Sequence, residues 1–218
     1  MKKIFGHRGM PRVYFENSLS GLNRAFSFAD YVETDVRLTK DKQLILFHDP
    51  HIQNSLIKDL TVLEIGQMLT GIEVEEIILN SRNQILGNVN FEIKTDSLEP
   101  HEIDILCQKM SSIVDSIDIV TSFNWKAIQD FKDIFPSRYG IILHQEEELY
   151  QAKSISIHDD KIFFMLHHEL IDSRNFDLPL DRTVAWTVND QDDFQRFMEM
   201  NLYGVVTDIP DTMQLYRK

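Results

Sequence analysis

The stretch YVETDVRLTKDKQLILFHD, residues 31–49, decides how the rest of the chain is read. Tyr31 to Leu38 is extended in character, with Tyr31 to Val36 as its strand proper. Glu33 and Asp35 stand two apart in it, so both carboxylates point to one face. Leu44 to Phe47 is a second apolar, strand-like run. Thr39-Lys40-Asp41-Lys42-Gln43 between them is polar and turn-forming. A hairpin centred near Asp41 and Lys42 returns His48 opposite Asp35. A histidine beside two same-facing carboxylates is a corner suited to metal binding and proton transfer.

Setting residues 44–47 aside as the return arm of a hairpin changes the strand count. Eight candidates remain: Ile4 to Gly6, Tyr31 to Val36, Val89 to Ile93, Ile117 to Thr121, Tyr139 to Leu143, Ile162 to Leu166, Thr183 to Val188 and Gly204 to Thr207. Helical faces lie between them. Leu19, Leu22, Ala25, Phe26 and Ala29 share one, and Ile103, Leu106, Met110 and Ile113 another. Ile128, Phe131 and Ile134 repeat the spacing, as do Phe194, Phe197 and Met198, and Asn17 or Ser18 is a cap for the first helix. Eight strands alternating with helices predict a closed α/β architecture, a (β/α)8 TIM barrel with a β-hairpin extension after strand 2. The alternative is an open doubly wound sheet. Residues 51–87 are irregular, with helical candidates at Thr61 to Met68 and Val74 to Leu79, and are expected to cover part of the barrel mouth.

The 218 residues carry a net charge of −13 with 43% hydrophobic and 26% charged side chains, which fits one globular domain over residues 1–218. That charge speaks against nucleic acid and against anionic lipid surfaces, both of which demand clustered Lys and Arg. No apolar run reaches the roughly 18 residues of a membrane helix, so no stable membrane insertion is expected. The first residues lead straight into Ile4-Phe5 with no leader-like stretch, and Cys107 has no second cysteine to pair with. The cytoplasm is the expected compartment.

Barrel enzymes draw their functional side chains from the C-terminal ends of strands. His7 and Arg8 follow strand 1, Glu33 and Asp35 end strand 2, and Glu92 and Lys94 end strand 3. Trp186 and Asn189 bracket the end of strand 7, and Asp208 follows strand 8. Three carboxylates from adjacent strands offer an all-oxygen site for a hard cation, Mg²⁺ or Ca²⁺, where zinc would want nitrogen or sulfur. An ion-pair network, with Glu33, Asp35 and Glu92 balancing Arg8 and Lys94, accounts for the same spacing. His144 and His167 follow strands 5 and 6 and are placed to line the mouth, while His101 and His158 sit in polar surroundings. Ser122-Phe123 suits packing and capping.

Taken together these motifs resemble the glycerophosphodiester phosphodiesterase family, a set of metal-dependent (β/α) barrels. The matching residues are His7-Arg8-Gly9, Glu16-Asn17-Ser18, Glu33-Thr34-Asp35-Val36, Thr39-Lys40-Asp41 and His48-Asp49. Phe91-Glu92-Ile93-Lys94, Ser122-Phe123, Trp186-Thr187-Val188-Asn189 and Gly204-Val205-Val206-Thr207-Asp208 continue the series in order. The chain departs from the family in three places. Phe15 stands where a proline usually precedes the Glu-Asn pair, and Lys42 replaces the usual glycine of the hairpin turn. Residues 51–87 are shorter than the usual insertion and lack its Arg-Thr-Thr run.

The resemblance implies a divalent cation (Mg²⁺ or Ca²⁺, with Mn²⁺ a further candidate) on Glu33, Asp35 and Glu92. It implies His7 and His48 as the acid/base pair, Arg8 and Lys94 on phosphate, and Trp186 on substrate. The implied partner is a small-molecule glycerophosphodiester, hydrolysed to sn-glycerol 3-phosphate and an alcohol. Two rivals share the site: a phospholipase D-like or lysophospholipid-specific enzyme, and a non-catalytic glycerol-phosphate-binding protein. The oligomeric state is not legible.

Overall fold

The computed structural model describes residues 2–136 and 138–217. Its strands are β1 (Lys3–Gly6), β2 (Tyr31–Leu38), β3 (Leu44–Leu46), β4 (His51–Ile52), β5 (Ser55–Leu56), β6 (Asn88–Ile93), β7 (Ile119–Ser122), β8 (Arg138–Leu143), β9 (Phe163–His167), β10 (Thr183–Trp186) and β11 (Gly204–Thr207). Its α-helices are α1 (Leu19–Ala25), α2 (Val62–Met68), α3 (Pro100–Ser111), α4 (Trp125–Ile134), α5 (Glu146–His158), α6 (Gln191–Glu199) and α7 (Pro210–Met213). Strands β6 to β11 run parallel in sequence order between β2 and β1, and β1 pairs with both β11 and β2. Phe5 against Tyr31 and Gly6 against Val32 close the ring, which excludes the open sheet. The fold is a (β/α)8 TIM barrel, with β3 antiparallel to β2 as the hairpin arm.

The barrel strands alternate between two cores, except that β6 turns the polar Asn90 and Glu92 inward. Phe5, Tyr31, Ile119, Ile142, Phe163, Met165, Val184 and Val206 pack inside the ring. The residues between them, among them Ile4, Val32, Phe91, Val120, Phe164 and Val205, face Leu22, Leu106, Phe131, Phe194 and Phe197 on the helices. Each large apolar side chain buried this way contributes roughly 1.5–3 kcal/mol. At the floor, the Arg138 guanidinium donates to the hydroxyls of Tyr31 and Tyr203 (both 2.6 Å) and lies 4.9 Å from the Phe163 ring centroid. The inward side chains are thus apolar or capped below, and the polar ones collect above.

Several elements differ from the sequence expectation. The hairpin register pairs Val36 with Leu46, and the Phe47 N–H reaches the Asp35 carbonyl (3.0 Å), so Phe47 rather than His48 lies opposite Asp35. The cause is the turn, in which Lys42 takes the left-handed conformation (φ 58°) that a glycine would occupy. Strand β7 starts at Ile119, because the Asp118 N–H closes a turn onto the Asp115 carbonyl (3.0 Å). Strand β10 stops at Trp186. Helix α5 appears where no apolar periodicity announces it, and the connection after β9 holds only 3-10 turns, His168–Asp172 and Leu180–Arg182.

No residue of 51–87 lines the cavity at the C-terminal ends of the barrel strands. Helix α2 forms as expected, but Val74 to Leu79 yields one 3-10 turn, Val74–Glu76, because Ile77 and Leu79 bond the edge of β3. The segment then descends the outer wall, where Glu76 accepts the Ser20 N–H (2.8 Å) and Asn23 bonds the Gln84 carbonyl (2.9 Å). It ends at the floor, where Arg82 meets Asp118 beside the start of β6. Among the described residues no helix is long and apolar enough to cross a membrane.

Candidate active site

The loop after β1 is built so that its two ends support the carboxylates. Arg8 turns through the left-handed region (φ 49°) and its backbone N–H donates to Glu33 Oε2 (3.0 Å). Gly9 follows at φ 84°, and a Cβ there would lie 2.7 Å from the backbone of Gly21 and Leu22, so helix α1 can seat this closely only against glycine. The chain returns at Asn17 (φ 60°), whose N–H donates to the Arg8 carbonyl (3.0 Å). The Asn17 side chain accepts from Thr34 Oγ1 (2.8 Å) and the Asp35 N–H (3.1 Å) and donates to Asp35 Oδ2 (2.9 Å). Between these ends the loop presents Val13, Tyr14 and Phe15 to solvent.

Glu33, Asp35 and Glu92 are buried and offer one oxygen each within 4.8 Å of one another. Arg8 Nε lies 3.3 Å from Asp35, and Lys94 Nζ lies 3.0 Å from Asp35 and 2.5 Å from Glu92. Those contacts satisfy part of the ion-pair reading, yet three carboxylates face two cations. Glu33 Oε1 is buried with no hydrogen-bond partner. An orphaned carboxylate oxygen beside two more, with no nitrogen or sulfur donor among the three residues, is a donor set for a hard divalent ion.

The charge balance is visible in the proton affinities. Burial and then the neighbouring Asp35 push the Glu33 carboxyl up to about 7. Burial, Asp35 and Glu33 push Glu92 up to about 8, against the pull of Lys94. Asp35 goes the other way: burial, its largest single influence, acts upward but is outweighed by Lys94, Arg8 and the Asn17 hydrogen bond, leaving it below the usual carboxylate range.

Two histidines flank the cluster. His7 Nδ1 lies 2.6 Å from Asp208 Oδ1, and its Nε2 lies 3.8 Å from Glu33 Oε2. Burial opposes the charged ring, but the Asp208 hydrogen bond and Glu33 together raise its proton affinity. His48 is half-buried and lowered, first by burial and then by Lys94 and Arg8. Its Nδ1 meets Asp49 (2.7 Å), and Arg37 Nε holds its carbonyl (2.9 Å).

A cavity of about 220 Å³ is lined by His7, Arg8, Glu33, His48, Glu92, Lys94 and Trp186, all sequence-predicted site residues, together with Asn90, Phe123, Ile142, Met165, Thr187 and Val206. Asp35, the remaining predicted residue, sits at its edge between Arg8 and Lys94. The Trp186 and Phe123 rings meet edge to face at 5.8 Å, and the buried Trp186 Nε1 has no hydrogen-bond partner. His144 and His167 stand beside these rings, 5.3 Å from Phe123 and 5.2 Å from Trp186. Ser122 Oγ donates to the Ile93 carbonyl (2.8 Å) and accepts the Asn124 N–H (3.0 Å), the capping role its sequence suggests. Sequence reasoning set Asn189 and Asp208 at strand ends without assigning them partners, and offered Asn17 as an alternative to Ser18 for the cap of α1, a role that Ser18 takes. Their signal was membership of the ordered motifs.

Comparison with known proteins agrees with the barrel fold. A model of the glycerophosphoryl diester phosphodiesterase family matches residues 7–159. A glycerophosphodiester phosphodiesterase of Caldanaerobacter subterraneus subsp. tengcongensis is 27% identical, the alignment covering 99% of this chain and 98% of that protein. The crystal structure of a glycerophosphodiester phosphodiesterase from Thermotoga maritima superposes with a TM-score of 0.78 at 20% identity, covering 100% and 99% of the two chains. A phosphodiesterase from Oleispira antarctica, solved with the product sn-glycerol-3-phosphate, gives 0.76 at 20% identity, covering 99% and 96%. With most of its length matched by the family model and the family's motifs meeting in one barrel mouth, the chain belongs to the glycerophosphoryl diester phosphodiesterase family.

Proposed function

We propose that this enzyme hydrolyses glycerophosphodiesters to sn-glycerol 3-phosphate and an alcohol, using a divalent cation and two histidines. The observation that carries the reading is the convergence of two carboxylates, two cationic side chains and two histidines in one cavity, with the third carboxylate, Asp35, at its edge. Glu33, Asp35 and Glu92 would hold the cation, Mg²⁺ or Ca²⁺, with Mn²⁺ as a third candidate. Such an ion supplies Lewis-acid neutralisation of phosphoryl charge.

The chain's own residues account for the remaining chemistry. Arg8 and Lys94 bring positive charge to the non-bridging oxygens as negative charge builds there. His7 and His48 transfer the protons, one taking a proton from the attacking hydroxyl and the other delivering one to the leaving alkoxide. The attacking group is water, or the substrate's own neighbouring hydroxyl, in which case a cyclic phosphate forms first and water then opens it to glycerol 3-phosphate. Trp186, with its unpartnered indole N–H, supplies a donor to a substrate oxygen on the opposite wall.

Turnover of a panel of glycerophosphodiesters with Mg²⁺, Ca²⁺ or Mn²⁺, against an EDTA control, tests the reading. Release of glycerol 3-phosphate that chelation abolishes supports it, and turnover indifferent to chelation rules out the metal role. A lysophospholipid substrate is the second reading. It is favoured by the apolar wall of Phe123, Ile142, Met165, Trp186 and Val206 and by the solvent-facing Val13, Tyr14 and Phe15. Faster turnover of an acylated substrate than of glycerophosphocholine would select it.

A further inference from the structure

We infer that Asp208 and Asn189 form a donor–acceptor relay that fixes the ring tautomer of His7, making both of them positioning residues for the proposed reaction. The inference rests on that proposed reaction for its kinetic consequence and on hydrogen-bond complementarity for its structure. Asp208 follows β11 and Asn189 follows β10, so neighbouring barrel strands bring them together.

The orientation of each group follows from its fixed partners. The Asp208 backbone N–H can only donate, and it lies 2.9 Å from one end of the Asn189 amide, which is therefore the oxygen. Thr207 Oγ1 donates to the same oxygen (3.1 Å). The other end of the amide must then be the NH2 group, and it donates to Asp208 Oδ2 at 2.6 Å. Asp208 Oδ1 is left to face His7 Nδ1 at 2.6 Å, and an ionised carboxylate only accepts. His7 consequently carries its proton on Nδ1 and turns Nε2 toward Glu33 and the cavity.

Amide for carboxylate at position 208 sets up a conflict that charge alone does not describe. If the new amide kept its oxygen toward His7, its NH2 group would confront the NH2 group of Asn189, donor to donor. If Asn189 rotated to relieve this, its own NH2 group would confront the residue 208 backbone N–H. The remaining arrangement turns the new NH2 group toward His7 Nδ1, which must then be bare, and moves the ring proton to Nε2. In that tautomer the cavity-facing nitrogen has no lone pair with which to accept a proton. Charging the ring would set an N–H against an N–H at Nδ1, so donation is impaired as well.

The same logic specifies a rescue. A carboxylate at position 189 accepts from the residue 208 backbone N–H and from Thr207 with one oxygen. Its second oxygen accepts from the amide at 208, which releases that amide's oxygen to His7 Nδ1–H. The variant N189D/D208N restores the tautomer with the net charge unchanged and the negative charge moved one residue further from the ring.

Two measurements test this together. D208N is expected to lower kcat for glycerophosphocholine by about 10²- to 10⁴-fold with little change in KM, and adding N189D is expected to recover at least about tenfold of that loss. The ¹⁵N resonances of the His7 ring, recorded where the ring is neutral, are expected to show Nδ1–H in the native enzyme, Nε2–H in D208N and Nδ1–H again in N189D/D208N. A native ring protonated on Nε2, a D208N ring protonated on Nδ1, or a double variant no more active than D208N would overturn the relay. The native spectrum decides even where a variant does not fold. If the native enzyme turned over no glycerophosphodiester while its ring behaved as described, the proposed reaction would fail and the tautomer relay would stand.

Discussion

Arg82 grips Asp118 across 36 residues, with Nε 2.6 Å from one carboxylate oxygen and a terminal nitrogen 2.8 Å from the other. The pair ties the end of the outer-wall segment to the foot of β7. Asp118 also accepts the backbone N–H groups of Val89 (3.1 Å) and Asp115 (2.9 Å), and Arg82 donates to the Ile85 carbonyl (2.6 Å). Removing one partner leaves a buried, uncompensated charge, so R82A and D118A are each expected to cost about 3–5 kcal/mol. Replacing both by apolar residues is not expected to recover this, because the two backbone donors would stay unpaired. Urea denaturation of the single and double variants checks both statements, and a double variant as stable as the native chain would refute the second.

Metal binding should release protons. The raised values of Glu33 (about 7) and Glu92 (about 8) mean that the metal-free fold holds protons the unfolded chain has already lost. Stability of the metal-free protein is therefore expected to fall as pH rises from about 5 through 8, the direction required when the folded state binds more protons. A divalent ion displaces those protons, so its affinity should climb over the same range. Calorimetric titration of Mg²⁺ in two buffers of different ionisation heat reads the protons released, and an affinity independent of pH would contradict the assignment of these ligands.

Alanine at His7 or at His48 should each lower kcat by at least about 10²-fold, the usual worth of acid/base catalysis. Metal affinity should survive both changes, since neither histidine belongs to the carboxylate cluster. Steady-state rates beside Mg²⁺ titrations separate the two effects, and full activity in either variant removes that histidine from the chemistry.

Asn17 serves twice, by its left-handed backbone and by its side-chain bonds to Thr34 and Asp35. Glycine retains the first role and alanine neither. N17G should keep more stability than N17A, by about 1 kcal/mol. Both should weaken the metal by about 10- to 100-fold, the typical effect of removing a group that orients a ligand. Thermal melts and metal titrations of the pair make the comparison, and unchanged metal affinity in both would show that Asp35 needs no such support.

The barrel was legible because parallel strands buried on both sides read as short apolar runs, as Ile162 to Leu166 and Gly204 to Thr207 do. Glu33, Asp35, Glu92 and Lys94 were legible for the converse reason, as charges in strands that otherwise bury their side chains. Helix α5 was not, since Tyr150 and Ile157 point to solvent and blur its apolar stripe. The hairpin register slipped by one because a single residue, Lys42, adopts a conformation its side chain disfavours. The bond from His7 to Asp208 joins residues 201 positions apart and depends on ring closure, which no local pattern encodes.

The loop that leaves at Arg8 and returns at Asn17 is sealed at its neck by their backbone hydrogen bond. The groups that bond the carboxylates directly lie at or below that neck, Glu16 just inside the loop holds the Arg8 guanidinium (2.9 Å), and Pro11 to Phe15 lie beyond it. The neck works as a ferrule, holding the working end rigid while leaving the bristles replaceable. Drift or design can rewrite the tip of this loop, and with it what meets the mouth of the barrel, without disturbing the carboxylate cluster beneath.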